Sequence, residues 1–144
     1  MRAHIKRWKP GTYKATSWYD HDGVATERLA VPVTITVKPD EVEIDLREAP
    51  DQLPSSLNSP IANTSACVYI AFFYLCNDQQ VQNEGSTRAI KLVTRKGTGV
   101  DPVSPAPVTG STTFAAAVII EAVLKAMQGA APDAGVGGSA RRFR

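Results

Sequence analysis

Val31-Pro32-Val33-Thr34-Ile35-Thr36-Val37-Lys38-Pro39-Asp40-Glu41-Val42-Glu43-Ile44-Asp45-Leu46 is the stretch that decides the fold. Apolar and polar residues alternate strictly on either side of Lys38-Pro39-Asp40. Successive side chains of a strand point to opposite faces. Val31, Val33, Ile35 and Val37 therefore share one face, and Val42, Ile44 and Leu46 continue it, with Glu41, Glu43 and Asp45 on the other. Two such runs joined by a short polar turn predict an antiparallel hairpin with one covered and one wet face. Pro32 cannot donate a ladder hydrogen bond, so its strand is expected to begin at a sheet edge.

Working outward, Gly11 to Tyr19 is rich in Thr, Tyr and Trp and reads as a further strand. Asp20-His21-Asp22-Gly23 supplies the turn that follows it, because Asp and Gly tolerate positive φ. Downstream, Arg47 to Leu57 holds two prolines and reads as a loop. Ser59-Pro60 predicts an N-cap with proline at the first helical position, opening a helix to about Cys76. The second half of that helix is apolar almost all round, which predicts burial in a core or against a partner. Asn77 to Gly85 reads as loop, Arg88 to Val93 as a short strand, and Lys96 to Gly110 as an irregular Gly/Pro segment. Thr112 or Thr113 is expected to cap a second helix to about Gln128, with Glu121 and Lys125 paired on its wet side. Ala116, Ile119, Ile120, Val123 and Met127 are expected on its other face, with Gly129 and Pro132 ending it. The sum is an α+β module: a largely antiparallel sheet with two helices. Three regions are expected: a basic extension over 1–10, the module over 11–133, and a disordered Gly/Arg-rich tail over 134–144.

Composition narrows the function classes. A chain of 144 residues, 43% hydrophobic and 21% charged, supports one core of the soluble globular type. A net charge of +2 is too small to argue for nucleic acid, and no aromatic-basic interleaving occurs. Arg2, Lys6, Arg7 and Lys9 at one end, and Arg141, Arg142 and Arg144 at the other, read as solvated tails. The apolar run Ala66 to Cys76 is shorter than the ~20 residues of a membrane span. The charged N-terminus lacks a signal-peptide core, and Cys67 and Cys76 fall on opposite helix faces and cannot bridge. Two unpaired thiols fit a cytoplasmic protein.

No self-contained catalytic constellation is visible. The histidines are His4 and His21 alone, and no Gly-x-Ser-x-Gly elbow occurs. Burial in an apolar helix is expected to leave Cys67 and Cys76 inert. Lys96-Gly97-Thr98-Gly99 lacks the Gly-Lys-Ser/Thr ending of a phosphate loop and reads as a turn. Asp20 and Asp22 are carboxylates two apart, but the positions that complete a calcium loop hold Val24, Ala25 and Thr26. A hairpin turn is the favoured reading, an ion or substrate contact the alternative, and no metal site is assigned. Asn83, Gly85 and Arg88 form the better candidate: an asparagine, a glycine admitting close backbone approach, and a guanidinium suited to a carboxylate or imide oxygen.

Taken in order, these pieces resemble the central part of a hydantoinase B/oxoprolinase-type protein, over Gly11 to Asp133. The matching pieces are Gly11 with Tyr13, the Asp20-His21-Asp22-Gly23 turn, Asp45, Gln52, Asn58-Ser59-Pro60, the Asn83-Glu84-Gly85-Ser86-Thr87-Arg88 stretch, Pro105-Ala106-Pro107, and the helix closing at Ala131-Pro132-Asp133. Members of that family usually have proline where this chain has Ala89, and glycine near Ser55 and Ser56. The resemblance implies part of a large subunit that opens cyclic amides such as hydantoin or 5-oxoproline at the expense of ATP, or carboxylates ketones. It implies a hydantoinase A-type partner carrying the nucleotide site, and a divalent metal in the full complex. The family's Asn-Asp-Pro-Tyr and Gly-Gly-x-His motifs are not in this sequence, so no cofactor is expected on this chain and no activity from it alone. Asn58, Asn83, Gly85 and Arg88 become the substrate-binding candidates. Self-association through the apolar helix is expected, and a non-catalytic binding or assembly module that kept the fold is the alternative.

Overall fold

A computed structural model describes residues 1–24, 27–76 and 82–135. Its elements in chain order are α1 (Arg2–Ile5), β1 (Gly11–Tyr19), β2 (Leu29–Val37), β3 (Val42–Asp45), α2 (Ile61–Cys76), α3 (Glu84–Thr87), β4 (Ile90–Val93) and α4 (Ala116–Met127). A π-helical turn, Ser111–Ala115, leads into α4, and a 3-10 turn, Pro132–Ala134, follows it.

The four strands form one sheet in the order β1-β2-β3-β4. The first two pairings are antiparallel and β3 with β4 is parallel. A parallel pair needs a long crossover, and α2 lies on it. Alternation sets the faces as the sequence dictates: Val31, Val33, Ile35, Val37, Val42, Ile44 and Leu46 are all buried. Pro32 belongs to an inner strand, yet β3 pairs only with Thr34 to Val37. Pro32 thus sits where β2 has β1 as its single paired neighbour, so the missing N–H breaks no second ladder.

α4 packs across β1 and β2, and α2 lies alongside α4 and reaches β4. Val118, Ile119, Ala122, Val123, Ala126 and Met127 of α4 join Cys67, Val68, Ala71, Phe72 and Leu75 of α2 in one core over the sheet. At about 25 cal/mol per Å² of apolar surface, this two-layer burial is the main stabilising contribution. Glu121 and Lys125 pair at 2.7 Å on the outer side of α4.

Two local expectations are corrected and a third is refined. The N-terminal segment is not a loose extension: Ile5 and Trp8 are buried, Trp8 stacks obliquely on Phe72 at 5.7 Å, and Lys9 N–H donates to the Ala130 carbonyl. Two apolar side chains among the basic ones are enough to dock it. Neither Thr112 nor Thr113 caps α4. The chain enters through the π turn, whose N-cap is Gly110 without a side-chain cap, because Gly110 lies against Ser56: its N–H donates to the Ser56 carbonyl, and an added Cβ would stand 2.9 Å from that oxygen. At the start of α2, the Ser59 hydroxyl accepts from the Asn63 side chain and shares a 2.8 Å hydrogen bond with the Thr64 hydroxyl, while the Pro60 carbonyl takes the first helical bond from Thr64 N–H. Of the two loops between helix and strand, Asn77 to Val81 lies outside the described residues, as does most of the expected tail, residues 136–144.

Candidate functional site

Two loop systems carry the candidate residues, and they sit at opposite ends of β4. The first gathers at the C-terminal ends of β3 and β4. Asn58 is fully buried there. Its Oδ1 accepts from Leu53 N–H at 2.7 Å, and its Nδ2 donates to the carbonyls of Leu53, Ser55 and Pro107 at 2.8, 3.0 and 2.9 Å. Both amide protons are engaged with backbone, so Asn58 joins the 53–58 loop to the proline segment 49 positions later. Gln52 makes a parallel tie, its Oε1 accepting from Val103 N–H at 2.8 Å. Between these two ties runs an open groove of about 650 Å³, lined by Pro60, Pro102, Val103, Ser104 and Pro105 to Val108.

The segment that follows β4 is equally fixed. Arg95 reaches the carbonyls of Arg47 and Ala49 and the Asp51 carboxylate. Asp101, nearly fully buried, accepts from Thr94 Oγ1 at 2.7 Å and from Lys96 Nζ at 3.1 Å. Lys96-Gly97-Thr98-Gly99 is a tight turn, as its sequence indicates. Gly97 takes φ of +81°, and the buried Thr98 hydroxyl donates to the Arg95 carbonyl. Thr64 pins Val100 from the helix side, donating to its carbonyl at 2.7 Å.

The second system, Asn83 to Arg88, precedes β4. It is a capped helical turn: Asn83 Oδ1 accepts from Ser86 N–H and Ser86 Oγ accepts from Asn83 N–H, a reciprocal capping box. Asn83 at the cap with Ser86 three residues on is a signal legible in sequence. Gly85 lies close to the cap: a Cβ there would stand 3.1 Å from Asn83 Oδ1, so a side chain would press on the capping oxygen. Arg88 projects into solvent, with Glu84 Oε1 at 3.9 Å. Asn83, Gly85 and Arg88 are thus brought together, and Asn58 is not among them. A strand of four residues, about 13 Å long, intervenes.

The Asp20–Gly23 turn is held by local bonds: Asp22 Oδ1 accepts from Val24 N–H at 2.8 Å, His21 Nδ1 from Gly23 N–H at 3.2 Å, and Asp20 from Arg28. Among the described residues, no three His, Cys, Asp or Glu side chains come together as a metal-binding group. No helix there is long and apolar enough to cross a membrane.

Charge on the wet face of the sheet is paired. Lys38 donates to Glu41 at 2.8 Å and to Glu43 at 3.3 Å, and Lys91 reaches Glu41 at 2.8 Å. Hydrogen bonds from Lys38 and then Lys91 draw the Glu41 carboxyl down to about 2. Asp45 is held below the usual carboxylate range, first by the side-chain hydrogen bonds of Arg47. Burial raises the Cys67 thiol to about 11, which keeps it protonated and unreactive near neutrality.

Comparison with known proteins places this architecture. The chain is 28% identical to the beta subunit of the caprolactamase of Pseudomonas jessenii, over 92% of its own length and 23% of that protein. It is 30% identical to the B-type subunit of a putative D-/L-hydantoinase of Pseudomonas sp. (strain NS671), over 95% of its length and 25% of that protein. It therefore spans about a quarter of the length of these relatives. The crystal structure of the ATP-dependent caprolactamase from Pseudomonas jessenii superposes with a TM-score of 0.81 at 26% identity, covering 92% of this chain and 23% of that one. The nucleotide-free structure of acetone carboxylase shares the fold, with a TM-score of 0.77 at 15% identity over 93% of this chain and 19% of that one. The sequence model of the Hydantoinase B/oxoprolinase family matches residues 1–144, further at both ends than the motifs alone reach, and the chain belongs to that family.

Proposed function

We propose that this chain is the central module of a B-type subunit in an ATP-dependent enzyme that opens cyclic amides of the hydantoin, 5-oxoproline or lactam type, or in a related ketone carboxylase. The observation that carries the reading is the superposition on the ATP-dependent caprolactamase over nearly the whole chain. In this reading a hydantoinase A-type subunit supplies the nucleotide site, and the divalent metal that activates the amide is held outside this module. Activation of an amide needs a metal or equivalent electrophile, and the chain by itself is inactive. Arg88, exposed beside the ordered Asn83-Gly85 turn, offers a guanidinium to a substrate or product carboxylate. Asn58 serves indirectly by fixing the proline-lined groove through Pro107. That both asparagines are engaged with backbone also favours a second reading, in which the module positions other parts of an assembly and performs no chemistry.

The test is a chimera. The matching segment of the caprolactamase beta subunit is replaced with this chain, and ATP-dependent lactam opening is measured with the partner subunit present. Activity is expected from the chimera, a raised KM or lowered kcat from its Arg88→Ala variant, and none from the isolated chain. Turnover by the isolated chain, tracking the protein through two purification steps, would refute the subunit reading. A folded, assembled and inactive chimera favours the second reading.

A further inference from the structure

Asp22-Gly23 is the one place in the sequence where an aspartate or asparagine precedes a glycine. It lies in the turn between β1 and β2, beyond their last paired residues, Tyr19 and Leu29. The bonds that hold this turn also bring three reacting groups together. Asp22 Oδ1 accepts from Val24 N–H at 2.8 Å, which folds the carboxyl back over the intervening Gly23 peptide. Gly23 N–H donates to His21 Nδ1 at 3.2 Å, so an imidazole lone pair already faces the proton on that nitrogen. Gly23 takes φ of +85°, and a Cβ built there meets nothing within 4 Å. The peptide therefore has room to rotate, and glycine rotates at little steric cost. His21, Gly23 and Val24 are exposed, so water reaches the turn.

We propose that Asp22 is a self-modification site: its carboxyl closes on the Gly23 nitrogen and reopens as isoaspartate, with His21 as proton acceptor. In the ring closure, the Gly23 nitrogen bonds to Cγ of the protonated Asp22 carboxyl as the Cγ–OH bond breaks. The N–H proton passes to His21 Nδ1 and on to the departing hydroxide, which leaves as water. The product is a five-membered succinimide, and the imidazole is regenerated. One water then adds back. Opening at Cγ restores aspartate. Opening at the Asp22 backbone carbonyl sends the main chain through Cβ and Cγ, which is isoaspartate. No oxidant, metal or other co-reactant enters. Holding carboxyl, nitrogen and proton acceptor together is what lowers the barrier. Asn58 is the contrast: it precedes a serine, and its amide is tied by hydrogen bonds to backbone in a buried loop. Isoaspartate lengthens the backbone of the turn by one carbon. Because the ladder ends at Tyr19 and Leu29, the sheet stays paired and the product accumulates in the folded chain.

The whole chain is incubated, folded, at physiological temperature and pH for several weeks. Isoaspartate is located by mass-spectrometric fragmentation of its Cα–Cβ bond, which lies in the backbone of that residue alone. Its amount is read by enzymatic methylation of the freed α-carboxyl. Isoaspartate at Asp22 is expected to exceed that at any other Asp or Asn by about tenfold or more. His21→Gln keeps a polar side chain that takes up no proton, and should slow the reaction about threefold or more. Its circular dichroism spectrum should be unchanged, because His21 is exposed. In unfolding urea, where the turn is lost, wild type and His21→Gln should isomerise at one rate. That arm separates the placement of the imidazole from the sequence around it. Absence of isoaspartate at Asp22, an even spread over the Asp and Asn residues, a folded rate indifferent to His21→Gln, or a difference that persists in urea each overturns the proposal.

Discussion

Replacing Asn58 with alanine should be among the most destabilising single changes in this chain. The side chain is fully buried and makes four hydrogen bonds to backbone, one from Leu53 N–H and three to the carbonyls of Leu53, Ser55 and Pro107. Truncation leaves these groups without partners. A lost bond alone costs about 1 kcal/mol, and a buried group left unsatisfied costs about 1–3 kcal/mol. Three of the four bonds lie in partly buried surroundings, where water can recover some of the loss. A net loss of about 3–5 kcal/mol results, a large fraction of the ~5–15 kcal/mol stability of a domain. In urea denaturation, with a slope of about 2 kcal/mol/M, the midpoint should fall by roughly 1.5–2.5 M. Amide exchange at Leu53 and Val103 should accelerate more than exchange in β2, because the cross-tie at Pro107 opens first. A midpoint within about 0.5 M of wild type, equivalent to about 1 kcal/mol at that slope, would show that the Asn58 ties do not hold these loops.

Gly110→Ala places a Cβ 2.9 Å from the Ser56 carbonyl oxygen. The backbone there cannot yield cheaply, so thermal denaturation should report a loss of about 1–3 kcal/mol. With its thiol raised to about 11 by burial, Cys67 should not react with a disulfide reagent at pH 8 until the chain unfolds. Because the folded value exceeds the unfolded one of about 9, the unfolded chain alone ionises between them, and stability should decline as pH rises from about 9 towards 11. Glu41 shows the opposite sign. Its folded value of about 2 lies below the ordinary 4.5, so its contribution is fully present above pH 4.5 and fades as pH falls towards 2. Lys38→Met should move the Glu41 titration, followed by NMR, upward but only part of the way to its ordinary range, because Lys91 stays at 2.8 Å.

Where a property depends on neighbours in sequence, it is readable there. The alternation from Val31 to Leu46 sets both faces of the hairpin, since side chains in a strand alternate whatever packs on them. Gly11 to Tyr19 is β1 to the residue, and the end of α2 at Cys76 matches its apolar run. The order of short motifs from Gly11 to Asp133 carries the family. The capping box of Asn83 and Ser86 is equally local, but the same residues also suit a ligand loop, and the structure makes the asparagine first a helix cap.

Sequence by itself determined the strand faces, the two long helices and the family, because each rests on periodicity or on motif order along the chain. Tertiary structure decided what those patterns left open. Ile5 and Trp8 became core because Phe72, on α2, lies where Trp8 docks. Gly110 rather than a threonine opens the last helix because Ser56 presses against it. Asn58 left the candidate ligand set of Asn83, Gly85 and Arg88 because the parallel pairing of β3 and β4 puts it at the far end of β4, bonded to Pro107. Each outcome is set by a contact between residues tens of positions apart, and such contacts leave no mark on the local pattern of either partner.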